Sequence, residues 1–432
     1  MSAKNALQNE QSAAYFLIGT YFASIMIQPI IVYNMSSFAA AGVTVGVIAN
    51  IAWGALLYVS SRNIPRKFLS SAPFYIIVAY MIWSAVGLIA HPRDRTPTAL
   101  LTWLSDAVLF FGMFRAMTSG THSYKKLIVY TAIGSSIGLV ILAAYILAVS
   151  PPSSGIFIFY AQKVFFRNAL ANYAVISMII CGAGIASAST SRSQIICSAG
   201  AIASLLVAAL AASKTVWLAL PIVCLCMAAV LVSRAKNKFI AILSVAGGIT
   251  ALVIAGIATN FDLAVRNLLI QYYYGGAISA RERQFIWDYT NSFFEHWWDY
   301  ILGMGYNAAV TIELGRGERI YSLHNDWLNL LFMAGYGLGP LLYILNICLI
   351  AVSGYEILKG SKAKPIAYFF PLFIYIFVRG FSEANIGFTG VTWSVFVVIC
   401  FMETTFRQDG KSHKPNLASK RLRPISSDAG KS

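Results

Sequence analysis

Four residues invite a chemical reading because their surroundings leave their polarity unexplained. Lys214 lies in AASKTVWLAL, between two apolar runs and with no acidic neighbour. Arg283 opens an aromatic stretch, RQFIWDYTNSFF. Arg379 ends a short apolar run and is followed by Glu383. His324 sits in YSLHNDWLNLLFMAGYGLG, where polar chain gives way to apolar chain. Lysine offers a point charge and arginine a planar fork, so a cluster of these cations would bind phosphate. A histidine titrates near neutral pH and can accept a proton from a hydroxyl. Each residue also has a plain structural account. Lys214 can snorkel its ammonium to a membrane surface, and on composition alone the two accounts weigh equally. His324, Asn325 and Asp326 can simply begin a helix, which for a single histidine is the commoner case.

The elements that must position these residues are membrane helices. Of the 432 residues, 58% are hydrophobic and 11% charged, against about 25% charged in a soluble domain. Apolar runs of spanning length recur at Ala13–Val32, Phe38–Ser60, Ala72–Ala90, Thr98–Met117, Leu127–Ser150, Ala169–Ala188, Ile195–Ala212, Thr215–Ser233, Phe239–Thr259, Asn325–Ser353, Pro365–Val378 and Val391–Thr405. They predict an all-α, polytopic transmembrane bundle of about twelve helices. The six cysteines all fall in apolar stretches and read as small buried or lipid-facing side chains. The first run is long enough to span, so a cleavable signal peptide is not expected.

Basic residues orient the bundle. With the N-terminus inside, the inner links carry Arg62, Arg66 and Lys67; Lys125 and Lys126; Arg192; Arg234, Lys236 and Lys238; and Lys359, Lys362 and Lys364. The tail from Arg407 is basic too. This is the positive-inside pattern, with both termini cytoplasmic. It also accounts for the net charge of +16 without nucleic acid, for which no binding motif is present. The chain divides into an N-terminal bundle (1–259), one large outer loop (260–323), C-terminal helices (324–406) and a basic cytoplasmic tail (407–432) expected to be disordered. The loop holds two candidate interfacial helices, FDLAVRNLLIQYYY and RERQFIWDYTNSFFEHWWDYI, separated by a Gly-Gly turn. The outer side keeps cations that the topology rule does not explain: Arg93, Arg95, Lys163, Arg167, Lys214, Arg266, Arg281, Arg283, Arg316, Arg319 and Arg379. Taken singly, most read as solvated or paired with outer acidic residues.

The stretch from Arg281 to Gly339 resembles the signature of the O-antigen ligase and O-antigen polymerase superfamily. The family pattern is an Arg four residues before a Trp, a Gly-x-Gly turn, and His-Asn leading into a helix with small residues. Here it reads RQFIW from Arg283, GMGYN from Gly303 and HNDWLNLLFMAGYGLG from His324. The helix count and the single late loop resemble the family as well. Two positions depart from it. Ser213-Lys214 stands where members commonly have Ser-Arg, which keeps the charge and loses the fork. No Pro precedes the Gly-x-Gly turn.

The resemblance implies a GT-C-like membrane glycosyltransferase of the bacterial inner membrane, with its active site facing the periplasm. The implied donor is an undecaprenyl-pyrophosphate-linked glycan. The implied acceptor is lipid A–core in a ligase, or another carrier-linked glycan in a polymerase of O-antigen or exopolysaccharide. No cofactor and no metal are implied. His324 would be the catalytic base. Lys214 and Arg283, with Arg281 as alternate, would bind the donor pyrophosphate, and Arg379, Glu383 and Arg266 are possible additions to the site. A transporter of lipid-linked or small solutes would share the helix count and the buried charges, but predicts a repeat between halves that the sequence does not display. A structural subunit of a glycan-export complex would leave His324 and Arg283 without a role.

Overall fold

The computed structural model describes residues 15–28, 30, 41–60, 72–93, 96–118, 124–149, 167–211, 213–235, 237–258, 287–306, 313–314, 318–319, 326–359 and 364–380. Eleven of the twelve apolar runs fall on helices there: α1 (Tyr15–Gln28), α2 (Ala41–Ser60), α3 (Ala72–Ala90), α4 (Thr96–Thr118), α5 (Tyr124–Val149), α6 (Arg167–Ser187), α7 (Ser191–Leu210), α8 (Lys214–Arg234) and α9 (Lys238–Ala258), then, beyond the short loop helix α10 (Trp297–Leu302), α11 (Asp326–Leu358) and α12 (Phe370–Gly380). The twelfth run and the tail lie outside the described residues, as do Lys163 and the first candidate loop helix. A two-residue antiparallel ladder pairs β1 (Glu313–Leu314) with β2 (Glu318–Arg319).

Uncharged runs of Ala, Leu, Ile and Val become helices because a chain in lipid must satisfy its backbone within the segment. Polar residues in the links set the ends. The Thr190 hydroxyl accepts from Ser193 N at 3.2 Å and starts α7. The Asn237 side chain accepts from Phe239 N and Ile240 N at 3.1 and 3.3 Å and starts α9. Six of the described helices are long and apolar enough to cross a membrane. Among them α6 is the centre: 89% of its spanning window is buried, against 33–50% for the other five. It packs on α5, α7 and α8.

Close approach rests on small residues. A Cβ on Gly112 of α4 would run into the Gly54 backbone of α2, and one on Gly134 of α5 into the Gly19 backbone of α1. Hydroxyls stitch the interior: Ser135 to Ser177 at 2.7 Å, Ser204 to Ser177 at 3.0 Å, and Ser198 to Ser244 at 2.6 Å. At one end of the bundle Arg234 Nη2 donates to the Glu356 carbonyl at 2.8 Å. The Glu356 carboxylate pairs with Lys359 at 2.8 Å and accepts from Lys364 N at 3.1 Å. Two links expected on the inner face thus meet each other. His91 and Asp299, both expected outside, also meet, at 3.5 Å.

Three expectations are corrected. First, the run Asn325–Ser353 is not one straight span. Gly335 has φ 59°, ψ −170°, and the chain folds back there. Trp327 packs against Tyr343 at 5.4 Å, and a Cβ on Gly339 would touch the Leu330 carbonyl at 2.6 Å. In a straight helix residues 327 and 343 would stand about 24 Å apart. So α11 is a hairpin of a half-helix, 326–334, and a long arm, 336–358, of about 34 Å, enough to span. Second, the loop helix predicted over 281–301 is broken in its described part. It is helical through 291, turns through 296 and restarts as α10. The Asp299 carboxylate drives the restart, accepting from Glu295 N at 2.9 Å and His296 N at 2.8 Å. Third, the run from Pro365 opens as a 3-10 turn, Pro365–Phe369, before α12.

Candidate functional site

The Gly-Met-Gly turn is built by its backbone. Gly303 closes α10, its N–H donating to the Asp299 carbonyl at 2.8 Å. Gly303 and Gly305 have φ of 72° and 96°, which side-chain-bearing residues resist. The turn lies against the hinge of α11. Breaking a helix frees carbonyls on the preceding turn, and these need donors in a dry setting. The turn and α3 supply them. Met304 N donates to Phe332 O at 2.7 Å and Gly305 N to Met333 O at 2.9 Å. The Trp83 indole N–H donates to Ala334 O at 3.2 Å. Tyr306 N donates in turn to Ser84 O at 2.9 Å. A Cβ on Gly87 would sit 2.9 Å from Gly305 Cα. Three backbones therefore meet at the glycines, and the motif is a latch that holds the half-helix folded back.

Charged and polar side chains secure the latch. Fully buried Tyr306 donates its hydroxyl to the Asp106 carboxylate of α4, which also accepts from Asn50 Nδ2 of α2 at 2.7 Å. A carboxylate among apolar helices is costly unless it is so satisfied. Arg93, in the α3–α4 link, lays its guanidinium over Phe293 at 4.6 Å and reaches Met304 Sδ at 3.4 Å. Burial lowers its pKa from the ordinary arginine value. Burial also lowers the pKa of His91; Asp299 pulls it up, while Arg93 and His296 push it further down. Asp106, Tyr306 and His91 were not singled out by sequence, and Arg93 was read there as an ordinary outer cation. Asp106 alone carried a signal, an acid inside an apolar run.

Beside the latch is a cleft of about 150 Å³ between the loop and the half-helix of α11, with Trp287, Asn291, Phe294, Tyr300, Phe332 and Tyr336 among its walls. A larger cavity of about 390 Å³ opens among α6–α9, lined by residues such as Met178, Leu205, Pro221, Met227 and Gly248. Among the described residues its lining is apolar apart from Ser244 and Cys224 and carries no charged group.

The sequence-derived residues fall as follows. Lys214 is the first residue of α8, after the buried N-cap residue Ser213. Arg379 is in the last turn of α12, its side chain buried, where a cation suits the helix dipole. Helices α8 and α12 pack together. The far end of α8 meets Glu356, which also binds Lys364 just ahead of α12. The two helices thus run antiparallel, with Lys214 and Arg379 toward the same end. The start of the half-helix joins that end through Trp327, which meets Tyr343 at 5.4 Å, and Tyr343 meets Phe377 at 6.1 Å. His324, Arg283, Arg281, Arg266 and Glu383 lie outside the described residues.

No curated protein and no solved structure matches the chain. The family model of the O-antigen ligase matches residues 199–342. That stretch runs from α7 through Lys214, the whole loop 260–323, the latch and the hinge, and into the long arm of α11. With its apolar helices, the chain is a multi-pass membrane protein in which residues 199–342 are similar to the O-antigen ligase family.

Proposed function

We propose that the protein transfers a glycan from an undecaprenyl-pyrophosphate carrier to lipid A–core at the periplasmic face of the inner membrane. The observation that carries this reading is the family match over 199–342, which contains Lys214, Arg283 and His324. The leaving group is a lipid pyrophosphate, which gathers negative charge as the glycosidic bond breaks. Cations fixed beside it stabilise that transition state more than the ground state. Lys214 and Arg283 have this role, with Arg281 as alternate and Arg266, Arg379 and Glu383 as further members of the site. The acceptor is a sugar hydroxyl, a poor nucleophile while it keeps its proton. His324 accepts that proton as the oxygen attacks. Attack opposite the pyrophosphate inverts the anomeric centre. A polymerase would use the same donor and the same groups, with a second carrier-linked glycan as acceptor.

Cells that make the glycan but lack this protein provide the test. Accumulation of polymer on the carrier supports a ligase. Accumulation of single repeat units identifies a polymerase. Carrier-linked glycan at the level of the parent cells would contradict both.

A further inference from the structure

We infer that the cleft between the outer loop and the half-helix of α11 holds one pyranose ring of a glycan substrate. The inference rests on the glycosyl-transfer reading above and adds a binding subsite to it. The walls are rings set in place by one another. Phe294 stacks on Tyr300 at 4.9 Å and 24°, and meets Phe332 edge-on at 5.8 Å and 89°. Trp287 and Tyr336 complete the aromatic lining. Tyr336 is 61% exposed, so its ring is accessible. Asn291, also exposed, brings an amide with both donors and an acceptor.

This lining selects among ligands. A sugar ring has an apolar C–H face and a hydroxyl edge, which suit an aromatic wall and an amide rim. A phosphate would call for cations, and among the described residues no basic side chain lines the cleft. A polyprenyl chain would call for an apolar lining without an amide, as in the cavity among α6–α9. The cleft's 150 Å³ suits one ring rather than a chain of them. Its place in the sequence agrees. Trp287 follows Arg283 by four residues, and Leu328, also in the lining, follows His324 by four. Four residues reach at most about 14 Å. A glycan reacting at those two residues therefore has the cleft within a few sugar lengths.

The ring could belong to the donor or to the acceptor, and kinetics separate them. Transfer by purified protein in vesicles is measured over a range of carrier-linked glycan and, separately, of lipid A–core. Tyr336→Ala is expected to raise KM for one of the two about three- to tenfold, the worth of one aromatic contact. Tyr336→Phe, which keeps the ring, should stay near wild type. Asn291→Ala should raise the same KM; both positions are exposed, so both variants should fold. The substrate whose KM moves is the one in the cleft. Unchanged KM values in Tyr336→Ala and Asn291→Ala, with an active wild type, overturn the subsite and leave the proposed function standing. A wild type with no transfer overturns both.

Discussion

His91 and Asp299 face each other at 3.5 Å, yet burial together with Arg93 and His296 outweighs the attraction and keeps the histidine's pKa low. The folded protein therefore resists protonating His91, while the unfolded chain accepts the proton near pH 6.5. Stability from burying His91 in its neutral form is complete above that pH and is lost as pH falls below it. Hydrogen-exchange protection over residues 297–306 should drop between pH 7 and pH 5 in the wild type, beyond the change in intrinsic exchange. His91→Gln should remove most of that drop. Equal drops in the two proteins would assign the pH response elsewhere. At this scale the sequence shows some residues and hides others. Lys214 and Arg379 stand out because topology does not account for a positive charge there. Tyr306 does not, because only Asp106, 200 residues away, explains it, and Asp106 shows only as an acid inside an apolar run. Arg93 looks like any outer cation until Phe293 and Met304 are beside it.

The hinge at Gly335 is the element on which the site depends. Alanine there costs about 1–3 kcal/mol for a backbone conformation nearly confined to glycine, and its Cβ would also lie 2.6 Å from the Tyr300 carbonyl. Trp83→Phe keeps an aromatic ring but removes the donor to the Ala334 carbonyl, at a cost of about 1–3 kcal/mol. Gly248→Ala is the contrast, since its Cβ would meet only the end of the Leu205 side chain at 3.4 Å. Melting in detergent should show Gly335→Ala and Trp83→Phe destabilised and Gly248→Ala close to wild type. A Gly335→Ala protein as stable as Gly248→Ala would mean that the half-helix does not need its fold-back. Helix positions were legible from apolar runs because lipid leaves the backbone one solution. The fold-back was not. MAGYGLG reads as a glycine-rich helix, and only the donors of 83, 304 and 305, distant in sequence, make a break there affordable.

Over the whole molecule, charge and contact agree on a two-faced protein. Links expected inside meet at Glu356, and segments expected outside meet at Asp299. Contacts fix which ends lie together, and the basic residues propose which side is which. Single cysteines placed in the 260–323 loop should react with an impermeant reagent added from the periplasmic side. Cysteines near Lys236, or after Arg407, should react only when the membrane is opened. The reverse pattern would put the site on the wrong face for the proposed donor. The family match begins at residue 199, and the segments before it contribute Trp83, Ser84, Arg93 and Asp106 to the latch. The N-terminal bundle is thus part of the device that positions the matched region.

The most direct test of glycosyl transfer uses purified protein, carrier-linked glycan and lipid A–core, with donor binding and transfer rate measured on the same samples. Wild type should transfer. His324→Ala should bind donor and transfer about a hundredfold more slowly or worse, the usual loss when a general base is removed. Lys214→Ala should lose donor binding, and Lys214→Arg should keep transfer, because the charge is retained. A His324→Ala protein that transfers at the wild-type rate would contradict the account, as would a wild type that binds the carrier-linked glycan and never passes it on.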